Sequence, residues 1–255
     1  MRLPTFVIAG SQKCGTTSLA ATLRQHRQVH VPRPKEVHFF DHHFARGPEW
    51  YAEQFSPRDH HLQVGEATPS YLDHPVAGRR LARTLPDARI VILLRNPVDR
   101  AYSHYWHQRR LGGEPLETFE EAVAAEPGRR AAARRFGYLR HAYVERGHYI
   151  DRIEQFVAWQ GRDRVHVMLL EDLVAQPQPT LRELLRFLDV NPGPARRMTF
   201  GRRNTYRSGE AREADRASYP PMAPRTRVEL SERYAGSNAR LAAFLDRDLS
   251  AWQAR

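Results

Sequence analysis

The stretch Phe6-Val7-Ile8-Ala9-Gly10-Ser11-Gln12-Lys13-Cys14-Gly15-Thr16-Thr17-Ser18-Leu19 decides how the chain is read. An apolar run enters a turn of glycine and small polar residues, and a helical pattern starts at Thr16. A strand, a loop and a helix N-terminus in that order form a cradle for phosphate. The loop N–H groups and the positive end of the helix dipole face the same anion. Gly10 and Gly15 have nearly the spacing of a nucleotide P-loop, and Thr17 holds its Ser/Thr position. The lysine is displaced, however. Thr16 stands where a P-loop lysine would reach the β- and γ-phosphates, and Lys13 lies inside the loop. A cation there sits lower, against an inner phosphate or its bridging oxygen. The loop is therefore read as a nucleotide site that does not handle a triphosphate, against the plainer reading of an ordinary strand-turn-helix.

Outward from this loop the pattern alternates strand and helix. The first helix is expected from Thr16 to about Gln25, and His30 to Pro34 is extended chain because two prolines forbid helix there. Gly47 to Phe55 reads as a short helix with an aromatic face, Leu62 to Glu66 as a strand, and Val76 to Leu85 as an Arg-rich helix. Arg89 to Leu94 is the strongest strand, a continuous apolar run suited to a parallel strand covered on both faces. Phe119 to Ala125 is read as a short helix broken at Pro127-Gly128, and Tyr138 to Gln160 as a helical region interrupted at Gly147. Val165 to Leu170 is a strand, and Pro179 to Leu188 and Arg225 to Leu249 are helices. Four βα units with an anion loop after the first strand predict an α/β fold: a three-layer, P-loop-like domain with a central parallel sheet flanked by helices. The 255 residues are read as a single domain, in which residues 198–222 form a ligand-covering loop.

Arg95 follows the strongest strand, at the strand end where ligands gather in open α/β sheets, and Ser103 comes two helical turns later. An NTPase would place an acidic residue there to hold Mg²⁺. An arginine argues instead for a second anionic group on the nucleotide. Lys35-Glu36-Val37-His38-Phe39-Phe40-Asp41 gathers Lys, Glu, His and Asp within seven residues, although two buried phenylalanines on a solvated edge would give the same string.

Composition narrows the ligand. The net charge of +11 favours anionic partners, but 38 of the 40 basic residues are arginine, since Lys13 and Lys35 are the only lysines. Much of that charge is read as solvated surface. Cys14 is the only cysteine, so an intrachain disulfide is excluded, and a reducing, cytoplasmic location is expected. No apolar run is long enough for a transmembrane helix, and nothing before the first strand reads as a signal peptide. There is no metal-ligand spacing, so no metal is expected.

Taken together, these motifs resemble the PAPS-dependent sulfotransferases, most closely the heparan sulfate N- and 3-O-sulfotransferase branch and its bacterial relatives. The resemblance runs from Ile8 to about Leu245. Gly10 to Leu19 looks like that family's 5′-phosphosulfate loop and Arg95 to Ser103 like its 3′-phosphate site. Lys35 to Asp41 looks like the segment that supplies the base, and Gly65 to Tyr71 like its E-x-T-P-x-Y turn. Arg146 to Tyr149 also has a counterpart. The resemblance implies direct in-line sulfuryl transfer from PAPS, leaving PAP, to a hydroxyl or amine. Lys13 would stabilise the leaving phosphate, Glu36 would act as base, and His38 and Asp41 would position Glu36 or the acceptor. Gln12, Lys13, Cys14, Gly15, Thr16, Thr17 and Ser18 would hold the 5′-phosphate, and Arg95 and Ser103 the 3′-phosphate. Arg216 and Tyr219 would lie near adenine, while Glu66, Thr68 and His148 are candidates for the acceptor.

Three departures bear on the acceptor. Ala67 stands where that branch often has a lysine, Asp215 to Pro220 replaces a K-G-R-x-x-P pattern, and the loop's disulfide is missing. These favour a small natural product, a glycolipid or a saccharide over heparan sulfate itself, with no nucleic-acid partner. Two other readings compete: a P-loop kinase or NTPase, and a non-enzymatic polyanion binder built on the arginine-rich 129–140 and 196–216 regions.

Overall fold

The structure, a computed structural model, describes residues 2–133, 137–201 and 220–253. In chain order the elements are β1 (Phe6–Gly10), α1 (Thr16–Leu23), β2 (Val29–His30), α2 (Gly47–Glu53), β3 (Gln63–Glu66) and α3 (Ala77–Thr84). They continue with β4 (Arg89–Leu94), α4 (Pro97–Arg110), α5 (Phe119–Ala132), α6 (Tyr149–Gln160), β5 (Val165–Leu169), α7 (Leu170–Ala175), α8 (Pro177–Phe187) and α9 (Pro224–Leu245). The chain groups into two compact units. One holds residues 2–95 with 153–201, the other residues 96–152 with 220–253, counting described residues.

The first unit contains a five-stranded sheet in the order β2-β3-β1-β4-β5, and every neighbouring pair is parallel. β1 and β4 sit side by side in register, Val7 with Ile90 and Ile8 with Val91. Alternate side chains explain their unbroken apolar sequences. Phe6, Ile8, Val91 and Leu93 enter a core with Leu19 and Leu23 of α1 and Leu181, Leu184, Leu185 and Leu188 of the α8 region. The intervening Val7, Ala9, Ile90, Ile92 and Leu94 point to the opposite face by the strand's period of two, and are just as buried. With both faces covered, polar alternation has no place. Each such side chain contributes about 1.5–3 kcal/mol of burial free energy.

The second unit packs Val98, Ala101 and Tyr105 of α4, Phe119 and Ala122 of α5, Tyr143, and Leu230 and Tyr234 of α9 around one core. Arg100 is fully buried and donates to the carbonyl of Tyr143. Glu114 receives both Arg129 nitrogens, at 2.5 and 2.8 Å, and the Tyr143 hydroxyl at 2.7 Å.

Three readings of the sequence are corrected. The sheet has a fifth strand, because Val29 and His30 pair with Gln63 and Val64. Two residues are too short a run to show any periodicity. Helix α5 does not stop at Pro127 but continues to Ala132. A proline inside a helix costs about 3 kcal/mol. Tertiary bonds flank it here: Glu126 accepts the N–H groups of Val144 (2.7 Å) and Glu145 (2.9 Å), and Arg129 pairs with Glu114. A capping box between Thr118 and Glu121 secures its start. The 138–160 region is short 3₁₀ turns at Gly137–His141 and Glu145–Gly147, with regular helix only from Tyr149. Among the described residues, no helix is long and apolar enough to cross a membrane.

Candidate active site

The carboxyl ends of β3, β1 and β4 lie next to one another in the sheet, and each carries one part of the site. β1 runs into the 11–15 loop. Its neighbour β4 ends at Leu94, and half-buried Arg95 follows. The Ser11 N–H donates to the Leu93 carbonyl at 2.8 Å, tying the loop to β4. Lys13 adopts φ 70° and Gly15 φ 95°, so the loop turns twice through left-handed backbone. Gly15 accommodates that without a Cβ penalty, whereas Lys13 is held there by its surroundings. Helix α1 begins on Gly15, which offers no side chain as a cap, and has no acidic residue in its first turn. A helix end of that kind suits an anion. Gly10 is required by close packing: a Cβ there would stand 2.5 Å from Cβ of Leu72, in the turn that follows β3.

That turn, Thr68 to Leu72, builds the second part. Glu66, the last residue of β3, is fully buried. Its Oε1 accepts the hydroxyls of Tyr51 (2.5 Å) and Tyr71 (2.9 Å). Its Oε2 accepts the Thr68 hydroxyl and the Val37 N–H, the latter at 3.2 Å. Burial raises the Glu66 pKa, and these four donors work against that rise. The Tyr71 hydroxyl in turn accepts the Phe39 N–H at 2.8 Å. Ala67 N–H donates to the Lys35 carbonyl at 2.9 Å, and Lys35 Nζ returns a bond to the Ala67 carbonyl at 3.0 Å. The sequence reading offered Glu66 and Thr68 for acceptor contact. Both side chains are buried and committed to this network, which fixes the 35–41 segment from beneath.

The third part is that segment. Lys35 Nζ lies 2.5 Å from Glu36 Oε1, and His38 Nε2 lies 3.3 Å from Glu36 Oε2. His38 Nδ1 faces Asp41 Oδ2 at 3.0 Å, and the Ser70 hydroxyl donates to the same oxygen at 2.5 Å. Lys35, Glu36, His38 and Asp41 thus alternate in sign through space. His38 is held in left-handed backbone at φ 55° and stacks on His42, with ring centres 4.8 Å apart. Phe39 and Phe40 below are buried and pack on Tyr51 and Tyr71.

The electrostatics follow from these contacts. Hydrogen bonds to Asp41 and Glu36, opposed by burial, raise the His38 pKa to about 10, so the ring is an imidazolium at neutral pH. Burial favours the neutral form of Glu36, but the bonds from His38 and Lys35 outweigh it and bring its pKa to about 2. Burial raises the Asp41 pKa too, and the bonds from His38 and Ser70 overturn it, for a net lowering. Burial lowers the Lys35 pKa against the attraction of Glu36. Glu36 is 37 % exposed at its side chain, whereas that of Asp41 is fully covered. Of the two carboxylates, Glu36 is the one an incoming hydroxyl can reach. His38, Asp41 and His42 also bring possible metal-ligand atoms within 4.8 Å of one another.

The remaining sequence candidates belong to the second unit or lie outside the described residues. Ser103 is buried on α4, and Asn96 caps that helix by accepting the N–H groups of Val98 (2.9 Å) and Asp99 (3.4 Å). His148 is half-buried, with Nδ1 3.0 Å from Ser237 Oγ, and burial lowers its pKa. Arg216 and Tyr219 lie outside the described residues, as does most of the 198–222 loop. Sequence reading placed Lys35 in the charged segment and Ser70 and Tyr71 in the turn after β3, but gave none of them, nor Tyr51, a role of its own. Tyr51 read as a packing aromatic and Tyr71 as the end of a polar turn, and only the fold brings both hydroxyls to Glu66.

Comparison with known proteins bears on this geometry. The sequence profile described as the sulfotransferase domain matches residues 3–202. The crystal structure of a sulfotransferase from Alicyclobacillus acidocaldarius superposes with a TM-score of 0.80 at 32 % identity, covering 99 % of each chain. The membrane-associated sulfotransferase kil1 of Dictyostelium discoideum is 25 % identical over 98 % of this chain and 67 % of its own length. The human bifunctional heparan sulfate N-deacetylase/N-sulfotransferase 2 is 28 % identical over 96 % of this chain, which spans only 30 % of that protein. With its phosphate-type loop, its parallel sheet and a family match over 200 residues, this chain belongs to the sulfotransferase domain family.

Proposed function

We propose that this protein moves the sulfuryl group of PAPS to a hydroxyl or amine of a saccharide, glycolipid or small natural product, by direct in-line transfer. The observation that carries the reading is Glu36. It is a partly exposed carboxylate held ionised by Lys35 and His38, in the same unit and at the same sheet edge as the anion loop carrying Lys13. Glu36 takes the acceptor proton while the acceptor oxygen or nitrogen forms its bond to sulfur. The bond from sulfur to the phosphate oxygen breaks, and its electron pair goes to that oxygen. Lys13 and the N–H groups at the start of α1 stabilise the charge building there. His38 acts as a fixed imidazolium that orients Glu36, and Asp41 fixes His38. Arg95 and Ser103 hold the 3′-phosphate, a role supported by their sequence pattern. His148, Arg216 and Tyr219 are carried as contacts to acceptor and nucleotide on the sequence resemblance alone.

The buried single cysteine fits a reducing compartment, so the same proposal puts the enzyme in the cytoplasm. Recovery in a membrane fraction would overturn that part. The central test is incubation with labelled PAPS and a panel of hydroxyl and amine acceptors. Transfer supports the proposal. Stabilisation by ATP with Mg²⁺ but not by 3′,5′-ADP, with no sulfuryl transfer, would replace it with a nucleotide kinase.

A further inference from the structure

Glu36 carries a tension that its role as base does not resolve. Both of its oxygens are engaged, Oε1 by Lys35 and Oε2 by His38. Such a clamped carboxylate is a weak base until one cation releases it. The two cations are not equally fixed. His38 is gripped at its other nitrogen by Asp41, which is itself bonded to Ser70, and its backbone is held in the left-handed region. Lys35 is different. An ammonium has three N–H donors. Two of them have acceptors among the described residues, Glu36 Oε1 and the Ala67 carbonyl. The group is only 9 % exposed, so the third donor has little water to satisfy it. Lys35 is also one of two lysines beside 38 arginines, a compact charge that can pivot between acceptors where a guanidinium would demand a planar fork.

We propose that Lys35 is a second catalytic cation. With the donor bound, its ammonium moves from Glu36 Oε1 to an oxygen of the sulfuryl group, pivoting on the Ala67 carbonyl. The exchange stabilises negative charge on the sulfuryl oxygens and frees Glu36 Oε1 for the acceptor proton. Lys35 keeps its own proton throughout. The acceptor proton ends on Glu36, the sulfuryl group ends on the acceptor, and the electron pair of the broken S–O bond ends on the 5′-phosphate. The inference rests on the PAPS reading above.

PAPS and PAP differ only in the sulfuryl group, so their affinities separate a contact to that group from everything else. Wild type, Lys35→Gln and Lys35→Met are titrated with each nucleotide, and turnover is followed against pH. The variants should bind PAP within about twofold of wild type and lose about fivefold or more of the preference for PAPS. Turnover should fall about a hundredfold, the scale of one lost transition-state donor. The acidic limb of the profile should move to higher pH as Glu36 loses a cation. Lys35→Arg should recover little of the turnover. An unchanged PAPS-to-PAP ratio in both neutral variants overturns the inference, even if turnover falls, because Lys35 would then act only by holding Glu36. A wild type that transfers sulfuryl groups while the variants match it leaves the proposed function standing and removes Lys35. A wild type that neither binds PAPS nor transfers from it overturns the function, and this inference with it.

Discussion

The Val37 N–H donates to Glu66 Oε2 at 3.2 Å, across 29 residues of chain, and that bond fastens the segment bearing Glu36 to the end of the central sheet. On the same carboxylate, the hydroxyls of Tyr51, Tyr71 and Thr68 complete a shell of donors. Replacing Glu66 by glutamine puts two N–H groups where only acceptors fit. A buried network broken in this way loses about 2–4 kcal/mol. Glu66→Gln should lower the melting temperature by roughly 5–10 °C and reduce turnover more than PAP affinity. A calorimetric scan that leaves the melting temperature unchanged would show that the network does not support the site.

Lys13→Ala should leave the fold intact, since Lys13 is a loop residue outside the core. Turnover with PAPS should drop by about 10²–10³-fold, the usual loss for one group aimed at developing charge. Single-turnover measurement checks this. Transfer at the wild-type rate would remove Lys13 from the mechanism.

Glu36→Gln preserves shape and removes the base. Turnover should fall by about 10²–10⁴-fold, with PAP affinity changed by less than about threefold. Unchanged turnover would place the base elsewhere in the site.

The pH dependence is set by two shifts of opposite sign. His38 titrates near 10, above its ordinary 6.5, so the stability of its cation is full below 6.5 and is lost as pH rises through 10. Glu36 titrates near 2, below its ordinary 4.5, so its contribution is full above 4.5 and is lost as pH falls through 2. Turnover should therefore stay level from about pH 5 to 9 and decline above 9. His38→Asn should shift the acidic limb upward, and the alkaline decline that remains should then be that of Lys35, whose pKa burial lowers. A bell centred near pH 6.5 in wild type would mean that His38 is a free imidazole in the working enzyme.

Arg95→Ala should weaken binding of 3′,5′-ADP by about tenfold or more, the worth of one charge-assisted contact. Binding of adenosine 5′-phosphosulfate, which lacks the 3′-phosphate, should be little changed. Equal losses for both ligands, measured by calorimetry, would take Arg95 out of the 3′-phosphate site.

Much of the architecture is legible in the sequence because burial writes itself locally. Ile90–Leu94 is apolar throughout because both faces of β4 are buried, and the strand is observed with the expected bounds, Arg89–Leu94. The Gly10–Gly15 loop was readable for a similar reason: only a few residue types tolerate its backbone and leave a helix end uncapped. Other features were not readable. Pro127 signals a helix end in any sequence, and only the bonds on Glu126 and Arg129 carry α5 through it. Val29–His30 becomes a strand only because β3 lies beside it.

The sequence alone determined the glycine-bearing loop between β1 and α1, the strand-helix alternation, the placement of Arg95 and the grouping of Lys35, Glu36, His38 and Asp41 within seven residues. Those are properties of neighbours along the chain, where backbone preference and burial act. Only the tertiary structure decided which of these charges touch. Glu36 meets both Lys35 and His38, His38 meets Asp41, and Glu66 turns inward to two tyrosines. Titration depends on desolvation and on distances of a few ångströms, and spacing along the chain fixes neither.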